Sequence, residues 1–377
     1  MIDRLAKFGL AFVLLFSVLV LLAVTSIPSH RPGSLVSGEP TSVRRFSHTA
    51  TLLEGNRVLI AGGMERNGVW LDSGEIFDEV TGHFAPTGRM SSRRAGAMAA
   101  ALPDGTVLIA GGSDGSGRNL ATAEIFNPQT NSFSMTGSMN APRTQGMAIF
   151  LPRINKVLIV GGAANGDDNQ HSSAELYDPA TGRFSQTGSM HAPRSCFNAV
   201  LLRDGSVLVM GGANGGEFPN PNLEASAEIY DPGIGRFTPV GSMNVPRYKH
   251  GAALLPDGRV MVVGGQTSSG ERLASTEIFD PASRKFQRGP EMKLSRFKLL
   301  NGVARLKDGR LLVAGGANQP EIYDPVANTF ALVTGPQLDG YLFSSATTLA
   351  DGKVLLVDGY GAHPLAGAAR QTWMWEP

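Results

Sequence analysis

The chain has 377 residues, a formal net charge of +1 and 17% charged residues without a basic block. That balance argues against nucleic acid or an anionic membrane surface as a partner. The single cysteine, Cys196, excludes an internal disulfide and a cysteine-rich metal site.

The first 26 residues differ in character from the rest. Arg4 and Lys7 precede an apolar run over 8–24, broken only by Gly9 and Ser17, and Thr25, Ser26 and Pro28 follow. This is the layout of a secretory signal peptide, with an uncleaved signal anchor as the rival. The run is near the lower limit of about 17 residues for crossing a bilayer. Either alternative puts the remaining chain outside the cytoplasm, secreted or periplasmic in one case and membrane-anchored in the other. Residues 1–26 are thus expected to be signal or anchor, and 27–33 a linker.

From there one unit is copied. Apolar runs end in glycine at 58–63, 107–112, 157–162, 207–212, 260–265, 311–316 and 354–359, six of them in a glycine pair. A fixed period of this size marks a repeat architecture rather than several unrelated domains. The unit is clearest in its fifth copy. Arg247 to Leu255 is expected to form a first strand, 256–258 a tight turn and 259–265 a second strand. After a polar loop, 277–280 is the third strand and Phe286 begins the fourth. Asp-Gly turns recur at 104–105, 204–205, 257–258, 308–309 and 351–352, the chemistry of tight hairpins. The second strands are apolar on both faces, as suits a sheet covered on both sides.

Pro-Arg, Asp-Gly, Gly-Gly and Glu-x-Tyr/Phe-Asp-Pro, recurring in this order over about residues 34–377, resemble the kelch repeat. The Asp-Gly-x-Val-x-x-x-Gly-Gly form is similar to that of the galactose oxidase-like propellers. The resemblance implies an all-β, seven-bladed kelch-type β-propeller of four-stranded antiparallel blades over 34–377, with blades starting near 45, 94, 143, 194, 247, 296 and 341. The last copy stops after its third strand, at Trp375-Glu376-Pro377. An open three-stranded blade would leave an unpaired edge. Residues 34–40 are therefore expected to close it as the outer strand.

Arg45, Arg94, Arg143, Arg194, Arg247 and Arg296 open the first strands, and Glu75, Glu124, Glu175, Glu228, Glu277 and Glu321 open the third. First and third strands lie about 9–10 Å apart. A glycine pair on the strand between them is expected to clear the way for each arginine to reach its glutamate. The seventh copy has Tyr341, Trp373 and Asp358 at the arginine, glutamate and first-glycine positions, so all three features vanish together. This favours six buried structural ion pairs over a ring of arginines awaiting an anion.

The resemblance to galactose oxidase implies a copper held by tyrosines and histidines beside a tyrosine–cysteine cross-link. Cys196 occupies about the position of that cysteine, but the tyrosine position is Lys249, with Tyr248 one residue off. The adjacent Tyr-His pair is replaced by Leu342-Phe343. No catalytic, cofactor-binding or metal-binding residue is assigned, and no cofactor is expected. His48 and His250, each three residues after a blade-opening arginine, are expected to be structural.

The loops between second and third strands vary most. Trp70, Phe218, Asn220, Asn222, Lys249, Asp358 and His363 are the candidate binding residues on that face, because rigid scaffolds carry recognition on their loops. The expected function is a non-catalytic, monomeric binding module for a protein or a glycan. The alternatives are a sugar-converting enzyme, such as a periplasmic sialic acid mutarotase, and a galactose oxidase-like copper oxidase.

Overall fold

The second strands dictate the architecture. Val58, Leu59 and Ile60, Val157 to Val160 and Val260 to Val263 are all fully enclosed. Side chains alternate along a strand, so such a segment needs apolar cover on both faces. Both neighbours supply it. Val58 and Ile60 pack with Leu349, Leu355 and Val357 of the last copy, whereas Leu59 and Ala61 pack with Val107, Ile109 and Phe126 of the next. Each sheet is sandwiched between two others, and the row closes on itself.

The computed structural model describes residues 32–65, 68–165, 168–216, 221–357, 359–361 and 370–377. The segment Gly33–Pro377 forms a seven-bladed β-propeller of four-stranded antiparallel sheets. The signal or anchor expected over 1–26 lies outside the described residues, and among those described no helix is long and apolar enough to cross a membrane. Blade 1 shows the order, from the channel outward: Thr49–Leu53, Arg57–Ala61, Gly74–Asp78 and His83–Pro86. In blades 1–6 the third strand stacks an aromatic on one of the outer strand, as in Phe126–Phe133 and Tyr230–Phe237 with centroids 4.8 Å apart.

The arginines do not open the inner strands, which is one difference from the sequence reading. In blade 5 the strand runs Gly251–Leu254, starting after Arg247. The interruption is a residue with left-handed backbone, Lys249 at φ 54°. The ladder resumes on its other side, where Tyr248 bridges Gln266, the residue just past the glycine pair.

The glycine pairs also do a job that the sequence reading did not assign them. Both members have left-handed backbone, φ 67° and 93° at Gly111 and Gly112. A Cβ on Gly111 would collide with the carbonyl oxygen of Arg143, which belongs to the next blade. On Gly161, Gly211 and Gly264 it would lie 2.6–2.7 Å from the carbonyls of Arg194, Arg247 and Arg296. At the second glycine the space is needed by the same blade's entry segment, as by the carbonyls of Phe46 at Gly63 and Thr144 at Gly162 and by the Cβ of Arg296 at Gly316. At the first it is needed by that carbonyl of the neighbouring blade. The second glycine then donates its N–H to that same carbonyl, as from Gly112 to Arg143 at 2.8 Å. Each pair is the joint between two blades.

The seventh blade is built from both ends of the propeller. Ser34–Ser37 pairs antiparallel with Thr372–Glu376, Leu35 opposite Trp375, outside Val354–Val357 and Ser345–Thr348. Leu35 and Trp375 are buried in one cluster with Val333, Leu338 and Leu356. Removal of residues 27–40 is expected to lower the melting temperature strongly. Trp375→Ala should cost about 3–5 kcal/mol in a denaturant titration, and an unchanged midpoint for both would reject the closure.

Candidate functional site

Between the loops of one face, the inner strands surround a channel whose mouth is held by buried ion pairs. In blade 2 Arg94 Nη1 donates to the carbonyls of Gly111 and Thr122, both at 2.9 Å. Its Nη2 donates to Glu124 Oε1 at 2.9 Å. The other glutamate oxygen accepts the backbone N–H of Ser91, ahead of the arginine, at 2.8 Å. The same arrangement joins Arg45–Glu75, Arg143–Glu175, Arg194–Glu228, Arg247–Glu277 and Arg296–Glu321, with N···O distances of 2.7–3.1 Å across the set. Burial pulls each guanidinium pKa down, and the facing glutamate opposes it. In blade 7 Tyr341 stacks on Trp373 with centroids 5.3 Å apart, and its hydroxyl donates to Gln371 at 3.0 Å. An uncharged pair replaces the charged one.

Two residues beyond each arginine, and beyond Tyr341, the backbone is left-handed in every blade. Ser47, Gly96, Gln145, Cys196, Lys249, Lys298 and Phe343 have φ between 52° and 64°. Successive members are tied by backbone hydrogen bonds: Gly96 N–H to Ser47, Gln145 to Gly96, Cys196 to Gln145 and Lys249 to Cys196, all at 2.8–3.1 Å. Lys298 accepts from Phe343 at 3.2 Å, and Leu299 donates to Lys249 at 3.0 Å. These seven residues form a collar around the mouth. Strained backbone of this kind gathers where a scaffold over-determines it.

The collar groups its aromatic and cationic residues. Lys298 Nζ lies 4.8–5.1 Å from the ring centres of Phe297, Phe343 and Tyr360 and donates to the Tyr360 hydroxyl. Lys249 Nζ lies 4.7 Å from the Tyr248 ring and 5.9 Å from that of Phe343. Across blades 1–3, Ser47, Met64, Trp70, Ser113, Thr144 and Gln145 line a cavity of about 180 Å3. Trp70 sits in a short loop strand, Val69–Trp70, paired with Met64–Glu65. Its indole packs over the backbone of Gly115, where a Cβ would come within 2.6 Å of the ring. Ser47, Gly96 and Gln145 also line a second cavity, of about 170 Å3, among the inner strands.

Of the candidate binding residues, Lys249 joins the collar and Trp70 the loop-side cavity. Asn222 is exposed on the blade 4 loop, its N–H bonded to the Gly215 carbonyl at 2.8 Å. Phe218, Asn220, Asp358 and His363 lie outside the described residues. Lys298, Phe343 and Tyr360 were missed. Arg296-Phe297-Lys298 repeats the register of Arg247-Tyr248-Lys249, and that signal would have found Lys298.

The histidines are enclosed. His48 shares a hydrogen bond with Ser345 Oγ at 2.9 Å, while both ring nitrogens of His250 lack a partner among the described residues. Burial, then the charge of the neighbouring arginine, pushes each pKa down to about 3. The residues present do not fit a galactose oxidase-like copper. Tyr248 donates its hydroxyl to Gln266 Oε1 at 3.1 Å, and a lysine stands at the family's tyrosine position. Among the described residues no three His, Cys, Asp or Glu side chains converge as ligands.

Fold, joints and collar define the class of protein, a seven-bladed kelch-repeat β-propeller. The kelch motif model matches residues 94–140 and 247–293. The chain is 30% identical over 155 residues to an F-box/kelch-repeat protein of Arabidopsis thaliana, covering 41% of this chain and 39% of that one. It is 24% identical over 215 residues to the spermatocyte protein spe-26 of Caenorhabditis elegans, covering 53% and 35%. It is 29% identical over 117 residues to kelch-like protein 33 of Homo sapiens, covering 31% and 21%. The matches thus span well under half the length of these relatives. A fungal alcohol oxidase of the AA5 family, solved with copper, superposes with a TM-score of 0.70 at 17% identity, covering 92% of this chain and 76% of that one. YjhT superposes with 0.61 at 13%, covering 79% and 99%. These two likenesses are of fold.

Breaking one partner of a buried ion pair strands the other, so Arg247→Ala and Glu277→Ala should each cost about 3–5 kcal/mol in urea unfolding. The double variant should cost less than their sum, and additive costs would reject the pairing. The buried histidines set a pH window. Their folded pKa near 3 lies below the unfolded value of 6.5, so the unfolded chain binds more protons between these limits. Their contribution is complete above pH 6.5 and lost as the pH falls towards 3, at up to about 1.4 kcal/mol per pH unit for each. Replacing His250 by Gln should flatten the fall of unfolding free energy between pH 6.5 and 4, and an unaltered slope would contradict the assignment.

Proposed function

We propose that this propeller is a non-catalytic, monomeric binding module, exported or membrane-tethered, that engages a protein partner through the face carrying its second-to-third-strand loops. One observation carries the reading. The arginines and glutamates that could serve chemistry at the mouth are at most 2% exposed and consumed in holding the blades. The loops around them differ in length, from 61–74 in blade 1 to 210–227 in blade 4 and only 313–321 in blade 6. A uniform scaffold carrying unlike loops is a recognition surface. The kelch-repeat character of the relatives supports a protein as the partner. A sugar-converting activity would call for an arginine and an acid open to the mouth, and the six pairs are withdrawn from it.

A glycan partner is the second reading, favoured by the uncharged Trp70 cavity, where an aromatic wall stands beside Ser47, Ser113, Thr144 and Gln145. Photo-crosslinking residues placed at Trp70 or Asn222 should yield adducts with a protein partner. Those at Val80 or Val326, 86% and 79% exposed on the opposite face, should not. Adducts from the opposite face alone would overturn the proposal. Retention on a glycan array that is lost in Trp70→Ala would move the reading to the glycan.

A further inference from the structure

We infer that the loop-side cavity over blades 1–3 is a socket for an aromatic anchor of the partner protein, a tyrosine side chain laid against Trp70. This rests on the protein-binding reading above and names the group it would recognise.

The mouth is filled on one side and hollow on the other. Over blades 5–7 the collar carries Lys249, Lys298 and Phe343, packed among the rings of Tyr248, Phe297 and Tyr360. Tyr360 also meets Phe46 edge-on, with centroids 4.8 Å apart. Over blades 1–3 the collar residues are Ser47, Gly96 and Gln145, and the cavities of about 180 and 170 Å3 share these three as walls. An interior cavity of about 150 Å3 accepts a benzene ring, so the loop-side one has room for a single aromatic side chain.

The lining decides which one. None of the residues around the loop-side cavity is ionisable, and His48 in the inner cavity is held neutral. An ion entering there would leave water without a counter-charge, so the occupant is uncharged. Met64, Trp70 and Ala95 supply apolar wall, and Ser47, Ser113 and Thr144 supply hydroxyls. The Trp70 indole is backed by the Gly115 backbone, and its own backbone is fixed by the pairing of Val69–Trp70 with Met64–Glu65. The side chains of Ser47 and Ser113 have no hydrogen-bond partner among the described residues. A phenol matches this lining, because its ring takes the apolar wall and its one hydroxyl meets a serine. A pyranose would bring a hydroxyl on nearly every carbon, and those turned to Met64 and Ala95 would be buried without partners. Tyrosine also loses little conformational freedom on docking and anchors interfaces by filling such pockets.

Saturation-transfer difference NMR on the full chain tests this. The probe is acetylated, amidated glycyl-tyrosyl-glycine, with its phenylalanine and glutamate counterparts and methyl β-glucopyranoside in parallel. The tyrosine peptide should bind, with the strongest transfer at its ring protons. The phenylalanine peptide should bind about three- to tenfold more weakly, and the glutamate peptide should not bind. Trp70→Ala, which removes the platform, and Ser113→Phe, which fills the cavity, should each weaken tyrosine binding about tenfold. Melting temperatures within about 2 °C of the parent would separate lost binding from lost folding, and the ranking of probes on the parent chain needs no variant. Absence of tyrosine binding, equal binding of the phenylalanine or glutamate peptide, or tyrosine binding indifferent to both substitutions would each overturn the inference. Binding of the glucoside alone, lost in Trp70→Ala, would overturn it in favour of a glycan. Loop-face crosslinks from Trp70 without tyrosine binding would also overturn it, while leaving the broader reading intact. Crosslinks confined to the opposite face would remove that reading first.

Discussion

Everything in this propeller is referred to six buried guanidinium groups. Each arginine reaches carbonyls of its own blade and a glutamate across the sheet, while the carbonyls of Arg94, Arg143, Arg194, Arg247 and Arg296 receive the N–H of the preceding blade's second glycine. The glutamate in turn holds the segment by which the chain enters the blade. One residue thus fixes strand spacing, the incoming connection and the joint between blades. Dehydrating such a charge is expensive, and a buried pair is weak evidence of net stability against an apolar replacement. What it supplies is directional: hydrogen bonds that a packed leucine could not aim. Blade 7 shows that the position can be filled without charge, by Tyr341 against Trp373.

Much of this is written plainly in the chain. The period, the Asp-Gly turns, the paired arginine and glutamate registers and their joint loss in the seventh copy are local in sequence, so they can be read without a partner. The missing outer strand of the last blade was legible because an unpaired edge is a physical deficit that some other segment must fill. Ser34–Ser37 fills it.

The collar was not legible. A strand reading of 247–255 makes Tyr248 and Lys249 alternate between faces, and one left-handed residue cancels that alternation. Nothing about serine, glutamine, cysteine, lysine or phenylalanine advertises this backbone. Only Gly96 occupies it without strain, and a single glycine among seven is no signal. The glycine pairs misled for a related reason. The first glycine's need for space is set by the carbonyl of the following blade, a contact between residues about 30 positions apart, such as Gly111 and Arg143. The loops are unreadable for the opposite reason, because the fold does not dictate them.

The closure of the ring also constrains how the chain can fold. Six blades form from contiguous sequence, each able to pack on the one before it as synthesis proceeds. The seventh waits for residues 34–37 to meet residues 372–376, the longest loop closure in the molecule. Through that interval the early strand stands as an unpaired edge, while the newest blade offers an uncovered apolar face. The edge is only four residues long, Ser-Leu-Val-Ser, and short edges of this kind pair poorly with strangers. The seam left to close last is thereby one that, among the described residues, contains no buried ion pair, so late assembly there does not require a charge to be stripped of water.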